Sequence, residues 1–144
     1  MLRRLKEFGA KVPELLLVYV AQIRCLLEYV VPVWQGAITD QEKTDLERVQ
    51  KSALRIILGD KYGTYSTALK KSGLTDLETR RRNICKKFAI KSAKHKKHQK
   101  WFQTKPRFKT RNNLKYSIPH TRTERLKQSA IPYLTSLLNT LEAI

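Results

Sequence analysis

The stretch TDQEKTDLERVQKSALRIILG at residues 39–59 decides the fold class of this chain. Thr39 and Glu42 have capping-box spacing, in which the hydroxyl accepts a hydrogen bond from the third helical amide and the carboxylate accepts one from the capping residue. Gly59 follows as the expected stop. The pattern predicts a helix over residues 39–58, with Glu47 and Lys51 paired on its surface. The predicted buried stripe, at steps of three and four residues, is Leu46, Val49, Ala53, Ile56 and Ile57.

The segment before it, from Pro13 to about Val30, is helical in character and apolar around most of its circumference. Pro13 suits a first helical position, and Pro32 cannot continue a helix. A helix that is apolar nearly all round is buried among neighbours, so we expect this one to be buried. Cys25 lies within it, and we expect it to act as a small buried hydrophobe.

Two further helices are expected downstream. The first covers about residues 65–72 and ends at Gly73. The second covers residues 75 to about 97, where Thr75 has capping-box spacing to Glu78. Basic side chains cover most of this second helix. Its predicted inner stripe is Leu77, Ile84, Phe88 and Ala89.

The remaining sequence predicts a loop and a last helix. Residues 103–122 have no regular period and contain two prolines and two asparagines, so we interpret them as a basic, extended loop. Residues 123–141 contain a short helical turn, then Pro132 and a final amphipathic helix.

These segments predict an all-α fold, a small bundle of about four to five helices, because no alternating run is long enough for a sheet. The predicted organisation is a helical domain at 1–100, a basic loop or linker at 101–122 and a C-terminal amphipathic helix segment at 123–144.

Charge is distributed unevenly along the sequence. The chain of 144 residues carries 30 Lys and Arg against 12 Asp and Glu, a formal net charge of +18. Residues 1–60 hold nine basic and eight acidic side chains, whereas residues 61–127 hold twenty-one and three. Such a stretch is costly to compact unless a polyanion neutralises it. A small acidic metabolite would need only two or three of these charges, so a nucleic acid is the expected partner.

The residue types disfavour catalysis and metal binding. The five glycines are scattered and form no phosphate-binding loop. His95 and His98 lie one helical turn apart with Cys85 upstream, but a closed zinc site needs four ligands, and the neighbouring lysines repel a dication. Cys85 is expected to be somewhat acidified by Lys86, with no third group to make it a nucleophile. We expect no metal, no cofactor and no enzymatic activity.

Cysteine usage and hydropathy bear on the compartment. Two cysteines cannot build a disulfide framework, so we expect an intracellular protein, nuclear or cytoplasmic. The apolar run at 15–34 contains Arg24, and a central Arg alone costs roughly 2.5–3.5 kcal/mol to insert into a bilayer. We expect no membrane span and no signal peptide, and adsorption to anionic lipid ranks last among the alternatives.

The basic stretch is the candidate binding surface. Lys and Arg neutralise phosphates while exposed rings stack on unpaired bases. No module that reads base sequence is recognisable. We therefore expect contacts that position the nucleic acid rather than contacts that specify its base sequence. Trp101 and Phe102 have two open interpretations, which are base stacking and anchoring of the loop to the helices. The predicted nucleic-acid-binding residues are Arg80, Arg81, Arg82, Lys86, Lys87, Lys91, Lys94, Lys97, Lys100, Trp101, Lys105, Arg107, Lys109, Arg111 and Lys115.

Several strings carry a family resemblance. IRCLLEYVVPVWQ at 23–35, followed by LERVQKSALRIILG at 46–59, resembles the segment after the polymerase core in non-LTR retrotransposon reverse transcriptases, the LINE-like and jockey-like elements. The similarity continues through LTDLETRRRNICKKFA at 74–89 and TRTERLKQSAIPYLTSLLN at 121–139. RRLKEFG at 3–9 is similar to the sequence that precedes this segment in the family, so the resemblance spans nearly the whole chain.

In that family this stretch is the helical thumb and C-terminal tail, which packs on the palm domain and grips the template–primer duplex by its backbone. The resemblance implies framework roles for Trp34 and the helix at 47–57, and nucleic-acid contact for residues 80–115. The chain lacks the family's paired palm aspartates, the endonuclease domain and the Cys/His knuckle of some relatives. The resemblance therefore implies a non-catalytic C-terminal fragment of an RNA-directed DNA polymerase that binds RNA or DNA.

Two alternatives stay open. A structural fragment that needs the missing palm domain would show uncovered apolar surface on the helix at 13–30. A host protein that reuses the fragment for protein–protein contact would present the apolar face of residues 134–141 and would depend little on salt.

Overall fold

The computed structural model describes residues 1–104 and 114–142, and the regular elements of this part of the chain are helices, with no strand among them. The predicted all-α fold is confirmed. A π-helical segment covers Tyr19–Arg24, and 3-10 turns occur at Gly59–Lys61 and Gln99–Trp101. The helices are α1 (Leu2–Glu7), α2 (Val12–Val18), α3 (Cys25–Leu27), α4 (Val31–Trp34), α5 (Asp40–Leu58), α6 (Tyr65–Ser72), α7 (Leu77–Lys94), α8 (Glu124–Lys127) and α9 (Ala130–Glu142).

The chain divides into two compact units. Unit 1 consists of Met1–Tyr29 with Thr39–Arg80, and unit 2 consists of Val30–Ile38 with Arg81–Ile144. This division does not follow the predicted boundaries at residues 100 and 122. The reason is that α9 shares a core with the part of α7 that lies in unit 2.

The predicted caps of α5 and α6 are present. The Thr39 amide donates to Glu42 Oε2 at 2.7 Å and the Glu42 amide donates to the Thr39 hydroxyl at 3.3 Å, so the capping box forms. The Thr39 amide and, at 2.8 Å, the Thr39 hydroxyl both donate to the Glu42 carboxylate, and these two hydrogen bonds hold the pKa of Glu42 below its ordinary value. Gly59 and Gly73 end α5 and α6 with φ of +54° and +66°, a left-handed conformation that suits glycine.

α7 is shorter at both ends than predicted. It begins at Leu77, because the Asp76 carboxylate accepts the Thr79 amide at 2.7 Å and so caps the helix in place of Thr75. The Thr75 carbonyl accepts a hydrogen bond from the Gln50 side chain instead. α7 ends at Lys94 rather than near residue 97.

The apolar helix before α5 differs from its prediction. It ends near Glu28, and Val30 follows with φ of +50°. Pro32 lies in the first turn of α4 rather than ending the longer helix. The helix is not buried on all sides: Leu17 and Leu26 are 69% and 74% exposed, whereas Leu15 is buried. The prediction failed because apolar composition measures the capacity for burial, whereas burial itself requires a neighbour.

In the described part of the chain, the stretch Val12–Trp34 is long and apolar enough to cross a membrane by length and composition, with a mean hydropathy of 1.6. The turn that ends at Val30 interrupts it. Its continuous helical part, residues 12–27, would extend roughly 24 Å at 1.5 Å per residue. A bilayer core is about 30 Å thick, so this part alone is short of a span.

A buried hydrogen-bond network crosses unit 1. The Tyr19 hydroxyl donates to Gln50 Oε1 at 2.7 Å, and Gln50 Nε2 donates to the Tyr65 hydroxyl at 2.9 Å. The Tyr65 hydroxyl in turn donates to Glu47 Oε1. Burial raises the pKa of both tyrosine hydroxyls above the ordinary value of 10, so both groups stay protonated donors.

Glu47 connects this network to α7. Its carboxylate accepts the Leu77 amide at 3.2 Å, which satisfies an orphan donor of the first helical turn. The predicted surface pair of Glu47 with Lys51 is therefore wrong. Glu47 faces inward to Tyr65 and Leu77. The Lys51 ammonium lies 5.1 Å from the centre of the Tyr65 ring.

Unit 2 has its own core. α9 supplies three buried leucines, and a Cβ added at Gly36 would lie 2.4 Å from the Gln128 carbonyl oxygen and 2.8 Å from Tyr133, so only glycine permits this approach. Because Leu134, Leu137 and Leu138 lie in this core, their face of α9 is not available for the protein–protein contact considered above. The buried residues of this core are Val31, Cys85, Ala89, Phe102, Leu134, Leu137 and Leu138.

The described ends of the predicted extended loop are paired with each other. The Ser117 amide donates to the Gln103 carbonyl at 2.7 Å, and Thr104 and Tyr116 form an isolated antiparallel bridge. Asn139 of α9 holds both backbone groups of Tyr116, accepting its amide at 2.9 Å and donating to its carbonyl at 3.0 Å. The described ends of this segment, residues 103–104 and 116–117, are thus paired with each other and tied to α9, where an extended loop was predicted.

Candidate nucleic-acid interface

The two units differ strongly in charge. Unit 1 contains thirteen basic and ten acidic residues, a formal net charge of +3. Unit 2 contains seventeen basic and two acidic residues, a formal net charge of +15. The imbalance noted along the sequence therefore belongs almost entirely to one of the two structural units.

Within unit 2, α7 has a buried face and a basic face. Arg81, Cys85, Ala89 and Ser92 are buried and recur at steps of three and four residues. The predicted inner stripe is partly right: Leu77 and Ala89 are buried, Ile84 is half-buried, and Phe88 is 38% exposed.

The opposite face carries three exposed lysines, Lys87, Lys91 and Lys94, which we call the basic ridge. Their spacing of four and three residues places them on one side of a helix. The ridge is roughly 10 Å long at 1.5 Å per residue. Since one strand of B-DNA advances about 3.4 Å per phosphate along the axis, the ridge matches about three successive nucleotides.

Arg81 is a correction to the predicted site. Its side chain is fully buried, and its Nε donates to Gln35 Oε1 at 3.0 Å. A buried guanidinium has no access to a phosphate, so Arg81 belongs to the core of unit 2. Its position four residues before Cys85 and eight before Ala89 is the signal that sequence reasoning could have used.

Three other predicted cations have different environments. Arg80, which lies in unit 1, has its Nε 2.5 Å from Glu28 Oε1, so it is already paired. Lys86 is half-buried, whereas Arg82 is exposed. Of these three, Arg82 is the one with the accessibility that phosphate binding requires.

The chain after α7 adds further exposed cations. Lys97 and Lys100 are exposed, as predicted site residues should be. Lys96 is also exposed, and the predicted site omitted it although it lies in the same charge run. Lys115 is exposed, with its ammonium 5.5 Å from the centre of the Tyr116 ring. The predicted contacts Lys105, Arg107, Lys109 and Arg111 lie outside the described residues.

The structure separates the two interpretations of Trp101 and Phe102. Phe102 is 4% exposed and belongs to the unit 2 core, so it anchors the chain. Trp101 is 37% exposed, and its ring stacks on His98 with a centroid separation of 4.3 Å. Anchoring thus describes Phe102, and Trp101 remains accessible to solvent.

Both cysteines differ from expectation, Cys25 in its burial and Cys85 in its acidity. Cys25 is exposed, and its thiol donates to the Ala21 carbonyl at 2.8 Å. Cys85 is buried, and burial raises the pKa of its thiol to about 11 against a smaller opposing effect of Arg81. The predicted acidification of Cys85 is wrong because desolvation of the thiolate outweighs the neighbouring positive charge.

Among the described residues, no group of three or more His, Cys, Asp or Glu side chains could hold a metal ion. His95 and His98 lie with their ring centroids 4.8 Å apart, and the amide of Lys97 donates to His95 Nδ1. The two imidazole planes are tilted by 34° to each other.

We compared the sequence with protein-family models and with curated proteins, and the fold with solved structures, and none of them matches.

Proposed function

We propose that this chain binds the sugar-phosphate backbone of RNA or DNA through unit 2, without sequence specificity and without chemistry of its own. The observation that carries the proposal is the basic ridge, three exposed lysines on one face of α7 in a unit of net charge +15. A solubilising surface mixes both signs of charge, whereas this one carries a single sign. The chain also resembles the thumb and tail of non-LTR retrotransposon reverse transcriptases. This resemblance, carried by residues 23–35 and 46–59, supports the same role.

In this proposal the chain is a non-catalytic C-terminal part of such a polymerase, in the nucleus or cytoplasm, and its partner is a template–primer duplex. The exposed cations beyond the ridge extend the contact on either side of it. With about six phosphates contacted, the logarithm of the binding constant should fall against the logarithm of the salt concentration with a slope of roughly −5 on duplex.

The test is a salt titration of binding to a labelled RNA–DNA hybrid, measured by fluorescence anisotropy. One variant reverses the charge of the basic ridge and carries Lys87→Glu, Lys91→Glu and Lys94→Glu. The matched control reverses three exposed cations of unit 1, Arg4→Glu, Lys61→Glu and Lys70→Glu, and so changes the net charge by the same amount.

We expect the ridge variant to bind more weakly, with its slope reduced by about 3, because three phosphate contacts are lost. The control should keep a slope near that of the unaltered chain. Equal effects of the two variants would mean that net charge, not the ridge, determines binding. Absence of binding in the unaltered chain at low salt would reject the proposed function.

A second candidate is a structural piece that completes a larger protein such as a polymerase palm. The observation that favours it is apolar surface in unit 1: Phe8, Leu17, Leu26 and Tyr29 are all exposed, the first by 88%. Monomeric proteins rarely leave a contiguous apolar patch of more than a few hundred Å² uncovered.

The double variant Leu17→Ser and Leu26→Ser tests this candidate. If the apolar surface needs a partner, the variant should be less prone to self-association in light scattering than the unaltered chain. Its nucleic-acid salt slope should not change. Equal self-association of the variant and the unaltered chain would count against a docking role for this face.

A further inference from the structure

Three aromatic rings form a ladder just beyond the basic ridge. His95 and His98 have ring centroids 4.8 Å apart with their planes tilted by 34°, and His98 and Trp101 have centroids 4.3 Å apart with planes within 3° of parallel. The rings are three residues apart in sequence, and a 3-10 turn over Gln99–Trp101 brings such positions into line.

Trp101 is the last ring of this ladder. His98 stacks on one face of the indole, and 37% of Trp101 remains exposed to solvent. The adjacent Phe102 holds the backbone in place, because it is buried in the unit 2 core and meets Tyr116 edge-to-face at 6.5 Å. Trp34, the other tryptophan, packs against that core instead.

The surroundings of the ladder are cationic. Lys94, Lys96, Lys97 and Lys100 are all exposed, and no acidic residue lies between Glu78 and Glu124. A flat ring with one supported face, beside several ammonium groups, matches the two chemical features of a nucleotide, which are a planar base and a charged phosphate. Base–aromatic stacking tolerates any sequence, because every base has a π-face.

We propose that Trp101, backed by His98, is a stacking site for an unpaired base, so that the chain prefers single strands or overhangs to blunt duplex. The inference rests on the proposed function, since the basic ridge supplies the backbone contact, and it adds the class of nucleic acid. In a duplex the base faces are covered by neighbouring pairs, so the indole has a stacking partner only at an unpaired or terminal base.

The experiment uses the full chain with Trp34→Phe, which leaves Trp101 as the sole tryptophan. The probes are a short thymidine oligonucleotide and a blunt duplex, and tryptophan fluorescence and binding are followed at fixed salt. We expect the single strand to quench Trp101 more strongly than the duplex does. Trp101→Ala should lower single-strand affinity by about 5- to 150-fold and leave duplex affinity nearly unchanged.

Trp101→Phe is the matched control, because it keeps a ring at the same position and should retain most of the single-strand affinity. If Trp101→Ala weakens single strand and duplex equally, or weakens neither, the stacking site is rejected while backbone binding through the ridge stands. Unchanged fluorescence on saturation with the single strand rejects it as well. If neither probe binds the unaltered chain, the proposed function fails, and this inference fails with it.

Discussion

At the scale of single residues, Arg81 and Lys87 illustrate how position on one helix separates two cations. Arg81 lies on the inner face of α7 and donates to Gln35, whereas Lys87 lies on the outer face and is exposed. Arg81 therefore contributes to the stability of unit 2, and Lys87 is available for a ligand.

Arg81→Glu should destabilise the fold by about 3–5 kcal/mol, because it places an unpaired carboxylate in a core built around a cation. Lys87→Glu should change the free energy of unfolding by less than about 0.5 kcal/mol, since surface substitutions are usually nearly neutral. Chemical denaturation monitored by circular dichroism measures both. Similar midpoints for the two variants would contradict the burial of Arg81.

The cysteines provide a second residue-scale prediction. At about pH 8, where thiolate is the reactive form, Cys25 should react rapidly with Ellman's reagent and Cys85 should not. Burial raises the pKa of Cys85 to about 11, so its thiolate is scarce as well as inaccessible. Cys25→Ser should remove the fast phase of the reaction. In denaturant the Cys85 thiol should become reactive as well. Two fast thiols in the native protein would show that Cys85 is exposed.

At the scale of elements, α5 combines strong local signals with unequal burial along its apolar stripe. Ile57 is 1% exposed, Leu46 is half-buried and Val49 is 40% exposed. The predicted stripe therefore marks the correct face of α5, but its side chains are buried to different extents. Gln50, which the stripe does not include, is fully buried because its side chain bonds Tyr19 and Tyr65.

Ile57→Ala should cost about 2–5 kcal/mol of unfolding free energy, because it leaves a cavity in the unit 1 core. Leu46→Ala should cost less, since part of that side chain already contacts water. Thermal or urea unfolding of the two variants gives the comparison. A near-neutral Ile57→Ala would mean that this face of α5 is not packed.

At the scale of the whole molecule, the concentration of charge in unit 2 makes stability depend on salt. Seventeen basic residues against two acidic ones repel each other at low ionic strength. Added salt screens this repulsion, since the Debye length shortens from about 10 Å at 0.1 M to about 3 Å at 1 M.

The melting temperature should therefore rise as sodium chloride is increased across this range. The ridge variant, with three fewer positive charges and three more negative ones, should melt higher at low salt and depend less on salt. Differential scanning calorimetry checks both statements. A melting temperature that falls with salt would show that attractive ion pairs outweigh the repulsion.

Local signals in the sequence were sufficient for the helices with clear ends. The Thr39–Glu42 box, Gly59 and Gly73 placed both ends of α5 and the C-terminal end of α6 within one residue, because capping involves groups within four positions of each other. The all-α class and the charge asymmetry followed equally directly. α1 and α4, with six and four residues, are too short for periodicity to reveal and escaped prediction.

Tertiary contacts decided the rest. They buried Arg81 and Cys85, exposed Leu17 and Cys25, turned Glu47 toward Tyr65, and tied Tyr116 to Asn139. The physical reason is the distance along the sequence over which each feature is determined. A cap or a helical period depends on residues that are close in sequence, whereas burial depends on which distant segment packs on a side chain. The same apolar or basic residue can therefore face core or solvent with no change in its local sequence.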